Sequence, residues 1–159
     1  MFRDSKTSLG WNLGSTNGAG ANPDTDRALG SGPTGAGNDG MIEVRIGNNS
    51  GQPIAAFEVR YDGEEWRTPQ GASPVDQLVL QFSANGTTFT ALGTAFDFIR
   101  PVTSPATSAL DGNLPANRTA NRGGIFAPAA PIPVGATFYL RWFDVNDAGI
   151  TDALLAIDN

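Results

Sequence analysis

The densest polar chemistry in the chain is Asp144, Asn146, Asp147 and Asp152, four side-chain oxygen donors within nine residues, with Gly149 free to make a tight turn between them. Hard oxygen ligands on a flexible loop suit calcium. An EF-hand does not fit. Asp144, Asn146, Gly149 and Asp152 match its positions 1, 3, 6 and 9, but Ala148 and Leu155 stand at positions 5 and 12, and no helical pattern flanks the loop. A calcium site here would draw further ligands from elsewhere, Asp158 or Asp111. The competing reading is a turn whose Asp and Asn side chains bond nearby backbone N–H groups.

Two further groupings invite a binding role. Asp111-Gly112-Asn113 with Asn117-Arg118 is a polar loop that would take a sugar or a metal, or else an ordered loop whose side chains replace ladder bonds. Trp66 and Arg67 would stack on a sugar ring and bond its hydroxyls, with Glu64 and Glu65 beside them; otherwise Trp66 closes the end of a core. Trp66, Arg67, Asp111 and Asn113 are thus the candidate ligand-binding residues. Trp11, in polar sequence, reads as exposed or docked on a neighbour, and Trp142, in an alternating strand, as core. Glu64 and Glu65 are not a glycosidase pair, because adjacent residues of a strand point to opposite faces.

Much chemistry is excluded outright. The 159 residues include no histidine and no cysteine, so there is no imidazole base, no Cys–His or Ser-His-Asp nucleophile, no disulfide and no ordinary zinc, iron–sulfur or haem ligation. The single lysine, Lys6, lies in polar sequence near a terminus, a poor setting for a Schiff base. No catalytic or cofactor-binding residue is assigned, and the chain reads as a binding or structural module. Its net charge of −6, with residues 143–159 holding four Asp and no basic residue, lacks the footprint of nucleic-acid binding. No run approaches the length of a membrane span.

The elements that must position these residues are strands. Residues 1–40 hold nine of the 20 glycines and read as a loop or arm, with edge strands at most near Leu9–Leu13 and Arg27–Gly30. From Met41 the period becomes two. Ile42, Val44 and Ile46 mark one strand, and Phe57, Val59 and Tyr61 a second. A turn at Asp62-Gly63 leads to a short strand at Glu65–Arg67. Leu78, Leu80 and Phe82 mark the next, joined by a two-residue Asn85-Gly86 hairpin to Thr88–Thr90. Phe96–Ile99 is another strand, residues 101–123 a long ordered loop, and Pro128–Pro133 an extended run. Phe138, Leu140 and Trp142 alternate with Tyr139, Arg141 and Phe143, which predicts a central strand covered on both faces. Ala153–Asp158 closes the chain. Short strands between Gly, Pro and Asn turns predict an all-β fold, an antiparallel β-sandwich preceded by a Gly-rich arm.

These stretches resemble the jelly-roll-like β-sandwich modules of secreted or surface bacterial proteins, found in proteins with PEP-CTERM-type sorting signals and beside extracellular endonuclease/exonuclease/phosphatase domains. The matching pieces are Asp26-Arg27-Ala28-Leu29-Gly30-Ser31, the Asn48–Gly51 turn and Tyr61-Asp62-Gly63-Glu64-Glu65-Trp66-Arg67. Next come Ala109-Leu110-Asp111-Gly112-Asn113 with Ala116-Asn117-Arg118-Thr119. The last are Leu140-Arg141-Trp142-Phe143-Asp144-Val145-Asn146-Asp147 and Ala156-Ile157-Asp158. The resemblance covers residues 24–159, leaving a Gly-rich arm or linker at 1–23, and implies a jelly-roll-like sandwich in a non-catalytic, secreted or cell-surface module without the neighbouring nuclease site. Met1–Asp4 has no apolar leader core, so a secreted protein would need a leader outside this chain.

In the resembling modules the Ile-Asp element runs on into a further apolar strand, whereas here it stops at Asn159. A short last strand would leave a sheet edge open to another chain, with the Gly-rich arm as donor; a boundary that clips the strand would give the same ending. The leading expectation is an extracellular structural or adhesive module, a self-assembling surface or filament subunit with calcium-stabilised loops. The alternatives are a carbohydrate-binding module whose partner is a polysaccharide, and an accessory domain of a larger secreted nuclease or hydrolase.

Overall fold

Period-two alternation builds ten strands in the computed structural model, which describes residues 11–13, 27–33, 37–71, 76–104, 106–147 and 149–159. They are β1 (Trp11–Leu13), β2 (Ala28–Ser31), β3 (Gly40–Gly47), β4 (Phe57–Arg67), β5 (Gln77–Ser83), β6 (Thr90–Ala91), β7 (Phe98–Ile99), β8 (Arg118–Phe126), β9 (Thr137–Asp144) and β10 (Leu154–Asp158). A single 3-10 turn, Pro115–Asn117, is the only helical segment among the described residues. No helix among them is long and apolar enough to cross a membrane. Two antiparallel sheets, ordered β1-β2-β10-β4-β8 and β3-β9-β5-β6 with β7 also on β5, pack face to face as a β-sandwich.

The pairing is nested. β2 pairs with β10, β3 with β9, β4 with β8, and β5 with β6 and β7, all antiparallel. The chain from β2 to β10 is therefore one long hairpin, laid alternately into the two sheets and rolled so that β10 also pairs with β4 and β9 with β5. That is the jelly-roll arrangement. It carries β2→β3, β4→β5, β7→β8 and β9→β10 across from sheet to sheet at one end of the sandwich.

The structure revises several local expectations. Asp62-Gly63 is not a turn: β4 runs through it, with a register shift against β8 between Tyr61 and Gly63. Gly63 is needed for closeness, since a Cβ there would lie 2.2 Å from the Phe98 ring. Asn85-Gly86 is not a two-residue hairpin. The connection spans residues 84–89, because Asn85 Oδ1 accepts from the Thr87 and Thr88 N–H groups, both at 2.9 Å, and widens the turn. The loop expected over 101–123 ends at residue 117, where β8 begins. β9 is central in its sheet, but only one face is covered: Tyr139, Arg141 and Phe143 on the other face are half-exposed. The last strand is no edge, as β10 lies between β2 and β4. Trp11–Leu13, within the expected arm, pairs with Ala28–Gly30; the rest of 1–23 lies outside the described residues.

The core lies between the sheets, where Leu78, Leu80, Phe98 and Leu155 are fully buried. Burying each such side chain stabilises by roughly 1.5–3 kcal/mol. At the opposite end, where β3→β4 and β8→β9 also pass from sheet to sheet, the Phe126 and Phe138 rings pack on Phe57 with centroids 5.6 and 5.1 Å away. There the buried Asn48 amide binds the two connections together. Its Nδ2 donates to Gln52 O and Ile132 O at 2.9 Å and to Pro133 O at 3.1 Å, and its Oδ1 accepts from Ser50. Asn48→Ala strips partners from buried carbonyls and is expected to cost roughly 2–3 kcal/mol, lowering the melting temperature by about 5–10 °C in a calorimetric scan.

Candidate metal centre

At the crossover end, acids occupy positions that the strand pattern reserves for apolar side chains. Asp144 continues the inward face of β9 after Phe138, Leu140 and Trp142, and Asp76 precedes Leu78 and Leu80 in the same phase on β5. Asp144 stands opposite Leu78 and Gly40 in the sheet register. Asp152 lies just before β10, fully buried, and Asp147 lies half-buried in the β9–β10 connection. The roll thus gathers acids from separate crossovers into one place. Oxygens of Asp76, Asp147 and Asp152 all lie within 4.8 Å of one another.

Local bonds hold the group in shape. Asp76 Oδ2 accepts from Ala153 N at 3.2 Å and faces Arg100 Nε at 3.5 Å, a buried ion pair. Both Asp152 oxygens accept from Asp147 N, at 3.3 and 3.1 Å. Asp39, from the β2–β3 crossover, accepts from Asn146 N at 3.0 Å. Glu65, which also feels the Arg100 charge, accepts from Val102 N through Oε2 at 2.8 Å. Arg67 donates to the Asp152 carbonyl at 3.0 Å. Around the group, four carboxylates (Asp76, Asp144, Asp147, Asp152) face two guanidinium groups (Arg67, Arg100), and Glu65 also draws on Arg100.

The electrostatics register this imbalance. Burial, with Asp152, Asp76 and Asp147 adding like charge, pushes the Asp144 carboxyl up to about 8; only the Ser31 hydroxyl opposes it. Burial, and then the Asp76 and Asp147 charges, lift Asp152 to about 6 against its bond from Asp147 N and the Arg67 charge. Burial lifts Glu65 to about 7, opposed by its bond from Val102 and by Arg100. Asp144, 1 % exposed, has an Oδ2 with no hydrogen-bond partner among the described residues, and the buried Asn146 Oδ1 is likewise unpartnered.

Of the expected loop residues, Asp147 and Asp152 come together, Asp144 lies near enough to feel their charge, and Arg67 joins Asp152 where Trp66 does not. The outside member is Asp76, which sequence reasoning missed, and not Asp158 or Asp111. Asp158 pairs with Asp62 toward the other end of β10. The missed signal was an acid in phase with Leu78 and Leu80 at a strand's start, and Asp144 carried the same signal on β9. Asp111 and Asn113 lie elsewhere, over the outer face of the other sheet. Asp111 Oδ1 accepts from Asn113 N at 3.1 Å, and its carbonyl accepts from Asn117 Nδ2 at 2.7 Å. Gly112 sits directly on the indole, where a Cβ would come 2.3 Å from Trp66 Nε1. Trp66, 8 % exposed, packs with Ala28 and Ala156 and donates to Glu64 Oε2 at 2.9 Å, so it presents no ring face to solvent. Glu64 and Glu65 do point to opposite faces, both buried.

No family model, no curated protein and no solved structure matches the chain.

In the unfolded chain these carboxyls titrate near 4, whereas in the fold Asp152, Glu65 and Asp144 hold their protons to about 6, 7 and 8. Between those limits the folded state binds more protons than the unfolded one, so stability falls as pH rises. Urea unfolding in chelator is expected to give a lower midpoint at pH 8 than at pH 5, and Asp144→Asn is expected to flatten that slope.

Proposed function

We propose that this chain is a non-catalytic structural or adhesive module of the extracellular space or cell surface, which associates with further copies of itself through its open sheet edges. The observation that carries this reading is β3. Its eight residues pair in unbroken register with β9 on one side and with no strand on the other among the described residues. Val44 stands 39 % exposed in the middle of it. A long, regular, unpaired edge is a template for another strand, and soluble monomers ordinarily blunt such edges with bulges, prolines or lysines. β8, the nine-residue edge of the other sheet, is blunted in this way by its register shift and by Asn121 and Gly123 at positive φ, although it still carries Ile125 at 75 % exposure. The lack of histidine and cysteine and the opposed, bonded Glu64 and Glu65 support a non-catalytic role. The likeness to secreted bacterial modules supports the location.

Sedimentation and negative-stain electron microscopy of the purified chain test it. Wild type is expected to form oligomers or filaments as concentration rises, and Val44→Lys, which places a charge on the free edge, to stay monomeric. A wild type that remains monomeric at high concentration would sink the reading.

One observation favours carbohydrate binding as a second reading, at a place other than Trp66. On the outer face of β9 the half-exposed Tyr139 and Phe143 flank Arg141, whose guanidinium lies 3.8 Å from the Phe89 ring centroid and 4.9 Å from that of Phe143. Gln81 anchors Arg141 from the neighbouring strand at 2.6 and 2.9 Å. Flat aromatic faces beside fixed polar groups suit sugar rings. On a glycan array this reading expects hits that Tyr139→Ala loses and Trp66→Ala keeps; an array on which the wild type binds nothing removes it.

A further inference from the structure

We propose that Asp76, Asp147 and Asp152 hold one divalent cation of the calcium class, with the buried Asp144 carboxyl as a neighbouring negative group, and that the ion locks the β9–β10 joint to the β4–β5 crossover. Three independent observations converge on it. Two ligands on one calcium ion lie at most about 4.8 Å apart, twice a Ca–O bond of about 2.4 Å. The Asp76, Asp147 and Asp152 oxygens meet that limit for every pair. Second, a group outside that triad waits for a partner. Asp144 is almost wholly buried, points inward from β9 with Leu140 and Trp142, and keeps an unpartnered Oδ2 beside the triad, while the buried Asn146 Oδ1 is a further neutral acceptor. A buried carboxylate oxygen without donor or cation is costly. Third, the charge count has the right sign and size. With all four carboxylates ionised, as a bound cation would favour, Arg67 and Arg100 leave an excess of two negative charges, before Glu65 takes its share of Arg100.

The donor set selects the ion. All the side-chain donors are carboxylate or amide oxygens, and neither imidazole nor thiolate exists in the chain to hold zinc or copper. Three carboxylates from two irregular connections, completed by backbone carbonyls or water, suit calcium's six to eight loosely arranged ligands better than the strict octahedron of magnesium. The cation would hold both parts of the β9–β10 connection, since Asp147 follows β9 closely and Asp152 stands two residues before β10. Among the described residues β10 in turn is the strand that joins β2 to β4, so β1 and β2 depend on it for their place in the sheet. The inference extends the structural reading above by naming what stiffens the module, and it does not require self-association.

The experiment is a thermal melt of the full chain with calcium chloride, with magnesium chloride and with chelator, alongside amide hydrogen exchange. A ligand that binds only the folded state raises its stability by RT ln(1 + [L]/Kd), so ion at a hundred times Kd raises the melting temperature by several degrees. Calcium is expected to raise the midpoint reversibly, and magnesium at equal concentration to do so less. Asp144→Asn removes a buried carboxyl at constant shape and should fold; it is expected to weaken the apparent calcium affinity at least tenfold. Calcium is expected to slow exchange most at residues 144–147 and 149–158, leaving the Asn48 end unchanged. The Val44→Lys variant should show the full calcium shift as a monomer, which separates the ion site from the assembly. An unchanged wild-type midpoint, an undiminished shift in Asp144→Asn, or protection spread evenly over both ends would each overturn the proposal.

Discussion

The rest of the structure depends on where a rolled hairpin can put its charge. Each passage from sheet to sheet brings chain across the end of the sandwich, and at the crossover end four such passages meet. Backbone and side-chain polar groups caught there leave water and must find partners inside the protein. The partners found are Asp76 with Arg100 and Ala153 N, Asp152 with Asp147 N, and Glu65 with Val102 N. Carboxylates serve well because each offers several lone pairs to backbone donors from different loops. Their drawback is mutual repulsion, which two arginines only partly offset.

The two ends of the sandwich solve the same problem differently. At the other end Asn48 satisfies the β3–β4 and β8–β9 connections with one neutral amide, and aromatic rings fill the remaining space. The groups that join those connections are neutral, so protons and ions have no charge there to act on. The crossover end differs: its stability responds to protons and, under the proposal above, to divalent ions. A module built this way has one indifferent end and one that reports on its surroundings.

The sandwich was legible because burial on one face imposes a period of two. Met41–Ile46, Leu78–Phe82 and Phe138–Trp142 display that period in consecutive residues, with no need to know what they pack against. Turns were less legible. Asp62-Gly63 has turn chemistry, yet β4 passes through because Gly63 is small enough for Phe98 to pack on it; the requirement comes from a residue 35 positions away. The acidic loop was visible as composition, whereas Asp76 was not, because 68 residues separate it from Asp144 and only the roll brings them together. Trp66 and Arg67 misled for a simpler reason. Neighbours on a strand face opposite ways, so the pair that looks like one binding patch in sequence is divided between a covered outer cluster and the acidic end.

An acid in the apolar phase of a strand is therefore more informative than an acid in a loop. A loop carboxylate is solvated wherever it sits, and its presence constrains little. Asp144 and Asp76 occupy positions where Leu or Val would add core and raise stability, as at Leu78 and Leu80 two and four residues on from Asp76. Asp76 has a cation partner in Arg100, which accounts for it as part of a buried ion pair. Asp144 has none: its nearest charges are other acids, and the hydroxyl of Ser31 is its only counterweight. A fold that tolerates such a group without a ligand carries a standing cost that a leucine would remove. Keeping the aspartate makes physical sense when something positively charged, small enough for a buried site and oxygen-seeking, completes it.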